Sequence, residues 1–233
     1  MGNYLPYIWD LLFPVRCVSC RRPGSWWCGE CRGSSELILR NPCSGCASRK
    51  AIHDCPQVLG LDGIAALGFY HDPKLRSVLH ALKYKGATVV MSAIEDRLGE
   101  WAEERLDVWP WSGMSDLAIQ PAVGAPKSIR QRGFDQARLL SESVNRILIP
   151  WASQTDVLIR SNNLEPQAKL TVGDLRHANV AGSFRIKPGA TVPANILLVD
   201  DVLTTGATLS EAARVLRDAG VQKIFALVLA IGA

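Results

Sequence analysis

The run Ile196-Leu-Leu-Val-Asp-Asp-Val-Leu-Thr-Thr-Gly-Ala-Thr208 decides the fold. Its first four residues are apolar without a break, as expected of a parallel strand buried on both faces. Asp200 and Asp201 follow at the strand's carboxyl end, where open α/β sheets hold their ligands. Thr204, Thr205, Gly206, Ala207 and Thr208 then form a loop that offers backbone N–H groups and hydroxyls to an anion at a helix N-terminus. Thr208 with Glu211 predicts a capping box for that helix. Gly206 lets the backbone turn tightly and approach a phosphate closely. The two carboxylates cannot bind phosphate, but they can accept hydrogen bonds from a sugar diol. Phosphate in the loop and hydroxyls on the acids describe a ribose 5-phosphate. An Asp-Asp pair could also chelate Mg²⁺, as in a kinase or phosphatase. Neither a GxxxxGK[ST] loop nor a GxGxxG turn occurs.

Downstream, a helix over 209–219, Gly220 as its stop and a strand over 224–231 complete a βαβ unit. Upstream, residues 65–70 predict a strand and 74–84 a helix, with Leu75, Val78, Leu79 and Leu82 at helical spacing. Residues 88–106 predict a second helix, 107–116 a Trp/Pro/Gly loop, 117–120 a short strand ending at Pro121, and 134–148 an amphipathic helix. The stretch 160–182 is polar and weakly periodic, and reads as a mobile loop. Strands alternating with helices predict an α/β fold, a parallel sheet with helices on both faces.

The 233 residues are 48% hydrophobic and 21% charged, with a formal charge of +4, ordinary for a globular protein and too little charge to prove a nucleic-acid partner. The N-terminal 15 residues lack the basic start and small-residue cleavage site of a signal peptide, and no stretch approaches the ~20 apolar residues of a membrane span. All seven cysteines fall between Cys17 and Cys55. Clustered CxxC pairs without a secretory signal point to a metal in a cytoplasmic protein, not to disulfides. The expected organisation is a zinc-ribbon module over residues 1–58 and a second domain over 59–233.

Within the module, Cys17, Cys20, Cys28 and Cys31 could close one tetrahedral Zn²⁺ site alone. Cys43, Cys46 and Cys55 would then need a fourth ligand, for which His53 is the nearby imidazole. An interleaved pairing of the knuckles fits the spacing equally well. A segment with so few aliphatic residues needs such a staple to fold, so a structural role for the metal is the leading expectation. Residues 1–56 carry seven basic against four acidic side chains. Four thiolates and one Zn²⁺ would bring that excess to about +1, a modest basic patch. Trp26 and Trp27 could stack on bases or could equally be packing for the small module.

These features together resemble the ComF family, proteins with an N-terminal double zinc ribbon and a type I phosphoribosyltransferase-like domain. The resemblance rests on the CxxC knuckles, the 196–208 run, Leu82-Lys-Tyr-Lys-Gly86, Arg130-Gln-Arg-Gly-Phe-Asp-Gln136, Gln167-Ala-Lys-Leu170 and Arg176-His-Ala-Asn-Val-Ala-Gly-Ser-Phe184. It implies a phosphoribosyl pyrophosphate ligand with Mg²⁺, and a pyrophosphate loop at Lys83, Tyr84 and Gly86. It further implies a role in natural competence, with single-stranded DNA and other competence proteins as partners in the bacterial cytoplasm. Arg130 and Arg132 are expected as a clamp on phosphate or DNA, or else as a solvated basic turn. The chain departs from the family pattern at Asp135, where Asn is usual, at Pro121-Ala-Val123 in place of Pro-x-Pro, at Asn162 and Leu164, and in the final knuckle, where Val58 replaces a cysteine. If the site is catalytic, Asp200 and Asp201 position the ribose while pyrophosphate leaves the anomeric carbon for an unidentified acceptor. The competing readings are a non-catalytic, ligand-sensing protein that contacts DNA, and a regulator of sugar uptake.

Overall fold

The computed structural model describes residues 14–48, 59–84, 87–105, 107–160 and 182–232, with the backbone alone at 87 and 88. In chain order the elements are α1 (Gly29–Gly33), β1 (Gly63–Phe69), α2 (Pro73–Tyr84), α3 (Ala87–Glu104), β2 (Leu117–Pro121), α4 (Pro126–Arg132), α5 (Gln136–Ile147), β3 (Ser153–Gln154), β4 (Leu158–Arg160), β5 (Phe184–Ile186), β6 (Asn195–Leu203), α6 (Ala207–Asp218) and β7 (Lys223–Ile231). Five strands form a parallel sheet in the order β1-β7-β6-β2-β3, and β4 and β5 pair antiparallel beside it. The β6–α6–β7 crossover is the βαβ unit expected from the sequence.

The apolar run of β6 is buried on both sides because successive side chains alternate across the sheet. Leu197 and Val199 pack on one face, with α2, α3 and α5; Ile196 and Leu198 pack on the other, with α6, Leu158 and Phe184. Helices therefore cover both faces. Two of the predicted element limits shift. The helix expected over 134–148 is preceded by the separate α4, and Gly133, at φ 81, ends α4. The polar stretch begins at Arg160, the last residue of β4, and ends at Gly182, just before β5; residues 161–181 lie outside the described residues.

The cysteine segment is built into this core. Cys17, Trp27 and Cys31 are at most 7% exposed and share the apolar cluster of α2 and α3. The linker after α1 then covers the open edge of β1: Ile38 N–H donates to Leu67 O at 2.9 Å, and Leu37 bridges Gly68. An edge strand left bare would be a template for pairing with another chain. Three side chains of the body hold this linker. Asp72 accepts from Ser35 Oγ (2.6 Å) and Glu36 N–H (2.9 Å), Arg97 donates to Ser35 O (3.1 Å), and Trp101 Nε1 donates to Ile38 O (2.8 Å). Burial alone would push the Asp72 carboxyl up, but these donors and the Lys74 N–H hold it below the usual carboxylate range. Trp27, 1% exposed, is packing for this junction and has no face free for a base.

Candidate functional site: an acid-pair cavity and a four-thiol cluster

At the carboxyl ends of β6 and β2 lies a cavity of about 260 Å³. Asp200 and Asp201, adjacent residues towards the carboxyl end of β6, both line it. The loop after β2 and the start of α5 form one wall, Arg160 at the end of β4 forms another, and Lys83 reaches in from the last turn of α2. Lys83 Nζ stands 3.7 Å from Asp201 Oδ2. A partly exposed pair of this length is worth about 1 kcal/mol or less, so a polyanion can draw Lys83 away at small cost.

Asp200 is the most perturbed acid of the site. Burial first, then the neighbouring Asp201 carboxylate, push its carboxyl well above the usual range; Arg160 and the Asp201 N–H, 2.8 Å from Asp200 Oδ1, oppose this only in part. Burial conversely lowers the Arg160 guanidinium, with Asp200 and then Asp135 holding it up. Arg160 lies 5.1 Å from the Phe184 ring, the other strand of the small hairpin. Gln120, fully buried in β2, fixes this wall: its Oε1 accepts from Val157 N–H at 2.8 Å, and its Nε2 donates to Pro121 O at 2.8 Å. Asp135 caps α5 by accepting from Ala137 N–H (3.1 Å) and also accepts from Gly124 N–H (3.3 Å). Arg160, Gln120 and the capping role of Asp135 escaped the sequence reading. The one local signal for Arg160 is a base that closes the apolar triplet Val157-Leu-Ile159.

The capping box expected at the start of α6 does not form. Gly206, at φ 79, is the N-cap residue and supplies no side-chain cap. Glu211 instead accepts from Gly182 N–H at 2.8 Å and pairs with Arg214 at 2.8 Å, which ties Gly182 to α6. Ala207 N–H reaches Thr205 Oγ1 only at 3.5 Å, so the first turn of α6 is weakly capped, a disposition suited to an anion.

The expected site residues divide between two cavities. Asp200, Asp201, Thr208, Lys83 and Arg132 line the acid-pair cavity. Arg130 is exposed and does not line it. Thr204, Thr205 and Gly206 line a second cavity of about 300 Å³, shared with Leu203, Cys46, Phe69 and His71. Ala207 is buried at the first turn of α6. A Cβ on Gly206 would meet the Leu59 Cδ2 at 2.3 Å, so the close approach its lack of a side chain permits is to Leu59. Tyr84 turns away from Lys83 and lines a third groove. Gly86 lies outside the described residues.

The four thiols of Cys17, Cys20, Cys28 and Cys31 lie within 4.8 Å of one another, with Cys20 Sγ and Cys28 Sγ 3.6 Å apart. A tetrahedral Zn²⁺ with bonds of about 2.3 Å sets its sulfurs about 3.8 Å apart. The set therefore fits a structural metal ion, and it unites neighbouring CxxC pairs where the spacing had also allowed interleaving. Cys17 and Cys20 sit on a knuckle in which Arg21 N–H donates to Cys17 O (2.9 Å) and Arg21 takes φ 67. Cys28 and Cys31 come from the first turn of α1. Burial drives both buried thiols up; at Cys17 the N–H groups of Cys20, Cys28 and Ser19 reverse this and bring it to about 6, while Cys31 stays at about 12. The Cys43–Cys46 knuckle repeats the first, with Ala47 N–H on Cys43 O (2.7 Å) and Ala47 at φ 61. Its expected partners Cys55 and His53 lie outside the described residues.

Compared with known proteins, the chain matches no family model. It is 26% identical to the competence protein ComFC of Bacillus subtilis over 216 residues, 88% of this chain and 83% of that protein. It is 27% identical to competence protein F of Haemophilus influenzae over 234 residues, 91% of this chain and 95% of that one. Similarity at this level over about 90% of the chain supports the resemblance to the ComF family. A shorter match, 27% over 152 residues, 63% of this chain and 62% of that protein, is to the DNA utilization protein YhgH of Salmonella typhimurium. Among the described residues no helix is long and apolar enough to cross a membrane.

Proposed function

We propose that this chain binds phosphoribosyl pyrophosphate in the acid-pair cavity and acts in natural competence, in the handling of single-stranded DNA in the cytoplasm. One observation carries the ligand reading. Lys83, Asp200, Asp201 and the weakly capped first turn of α6, from segments more than a hundred residues apart, meet around one cavity. In this reading Asp200 and Asp201 accept hydrogen bonds from the ribose diol, and the first-turn N–H groups of α6 with Thr208 hold the 5-phosphate. Lys83 moves from Asp201 to the pyrophosphate, and Arg160 faces the same charge from the hairpin side. Mg²⁺, bound with the ligand, would neutralise part of the pyrophosphate charge. The residues fit that division, since carboxylates and cations line the same space in equal number, three of each.

The names of the relatives support the DNA reading, and a four-thiol site, which requires reduced cysteines, supports the cytoplasm. Residues 1–58 act as the zinc-bearing module and 59–233 as the ligand-binding domain. Calorimetry with phosphoribosyl pyrophosphate and Mg²⁺ tests the site. Wild type should bind, and Asp200→Asn/Asp201→Asn should lose at least tenfold in affinity; equal binding by the two refutes the assignment. Transferase activity is then decided by pyrophosphate release against a panel of nucleobases.

A further inference from the structure

We propose that the groove between the first cysteine knuckle and helix α2 is a binding surface for single-stranded DNA. The groove has a volume of about 300 Å³ and is lined by Val18 and Arg21 of the knuckle and by Arg76, His80, Ala81 and Tyr84 of α2. Among the described residues no carboxylate lines it. Arg76, His80 and Tyr84 follow at four-residue steps, so they stand in one row along the helix. At about 1.5 Å per residue that row is ~12 Å long, room for about three stacked nucleotides spaced ~3.4 Å apart.

The charges here are not spent on structure. Arg22 pairs with Glu30, and Arg32 with Asp96 and Glu100, so those two arginines hold the module together. Arg21 and Arg76 have no ion-pair partner among the described residues, and both line the same groove. Tyr84 is 76% exposed although it is a large aromatic, and its ring ends the row. Unpaired cations track a phosphate backbone, and an exposed ring offers a face on which a base stacks. Duplex DNA keeps its base faces inside the stack, so the ring selects a single strand. The next residue back, Lys83, faces Asp201, so the groove ends beside the acid-pair cavity. This surface rests on the DNA-handling reading above and gives it a location that the tryptophans of the module do not supply.

The test is fluorescence polarisation of a labelled dT20 strand with the full-length, zinc-loaded protein, over a series of salt concentrations. Removing two phosphate contacts in Arg21→Asn/Arg76→Gln should weaken binding at least tenfold in low salt. It should also flatten the plot of log K against log[salt] by about 1.4, roughly 0.7 per contact for a single strand. Tyr84→Ala should weaken binding about five- to a hundredfold with the slope unchanged, and Tyr84→Phe should restore it. Circular dichroism checks that each variant is folded. Wild-type binding that all these variants retain, with the same slope, overturns the groove and leaves the DNA reading standing. An abasic strand bound as tightly as dT20 overturns the stacking role of Tyr84 and with it the preference for single strands. Failure of wild type to bind dT20 removes both the groove and the DNA reading.

Discussion

Gly206→Ala should destabilise the protein by about 2–5 kcal/mol, and the structure separates that cost into two parts. Gly206 sits at φ 79, where an L-residue pays about 1–2 kcal/mol. The new methyl would also lie 2.3 Å from the Leu59 Cδ2. Leu59 is 2% exposed, and its N–H donates to Gly45 O at 3.0 Å, so it is held between the second knuckle and the α/β body and cannot swing into solvent. Overpacking of this kind costs about 1–3 kcal/mol. For a chain of this length each kcal/mol lowers Tm by about 2–4 °C, so a fall of roughly 4–20 °C is expected. Urea and thermal unfolding of the zinc-loaded protein, followed by circular dichroism, measure it. A double-mutant cycle with Leu59→Ala isolates the contact, since the backbone cost survives the second substitution and the clash does not. The double variant should therefore be more stable than the sum of the singles by about 1–3 kcal/mol. Gly206→Ala within about 0.5 kcal/mol of wild type, or a strictly additive cycle, would refute this account of the loop.

Two other outcomes follow from the sites. Cys20→Ser should cost one zinc per chain by elemental analysis and lower Tm, because the four-thiol cluster is a fold constraint; full zinc content in the variant would show that these thiols do not form the site. Asp200→Asn should stabilise the protein increasingly as pH rises above about 4, the ordinary carboxyl range. The raised carboxyl binds more protons folded than unfolded, so wild type loses stability as pH rises towards its folded pKa, and a neutral amide is spared that loss. Urea midpoints for both proteins between pH 4 and 8 check the sign, and a gap that narrows with rising pH contradicts it.

Much of the fold was legible because its signals are local. The uninterrupted Ile196–Val199 run, the stop at Gly220 and the apolar rows of α2 and α5 each encode an element within a dozen residues. The paired CxxC spacing encodes a metal knuckle in the same way. The capping box misled because Glu211 has a better partner, Gly182 N–H, from a segment whose path the sequence does not specify. Arg160 was invisible for a related reason: a single base at the end of a short strand gains meaning only when the fold brings it to the cavity of Asp200 and Asp201.

The sequence by itself determined the strand, the acid pair and the presence of a metal-binding module, because each depends on neighbours along the chain. Only the tertiary structure decided which way the groups face. It sent Thr204–Gly206 and Asp200–Asp201 to different cavities, drew Arg132 but not Arg130 into the acid-pair cavity, and split Lys83 from Tyr84 onto two surfaces. A change of one residue along a strand or helix reverses or rotates a side chain's direction, and packing against distant elements fixes that direction.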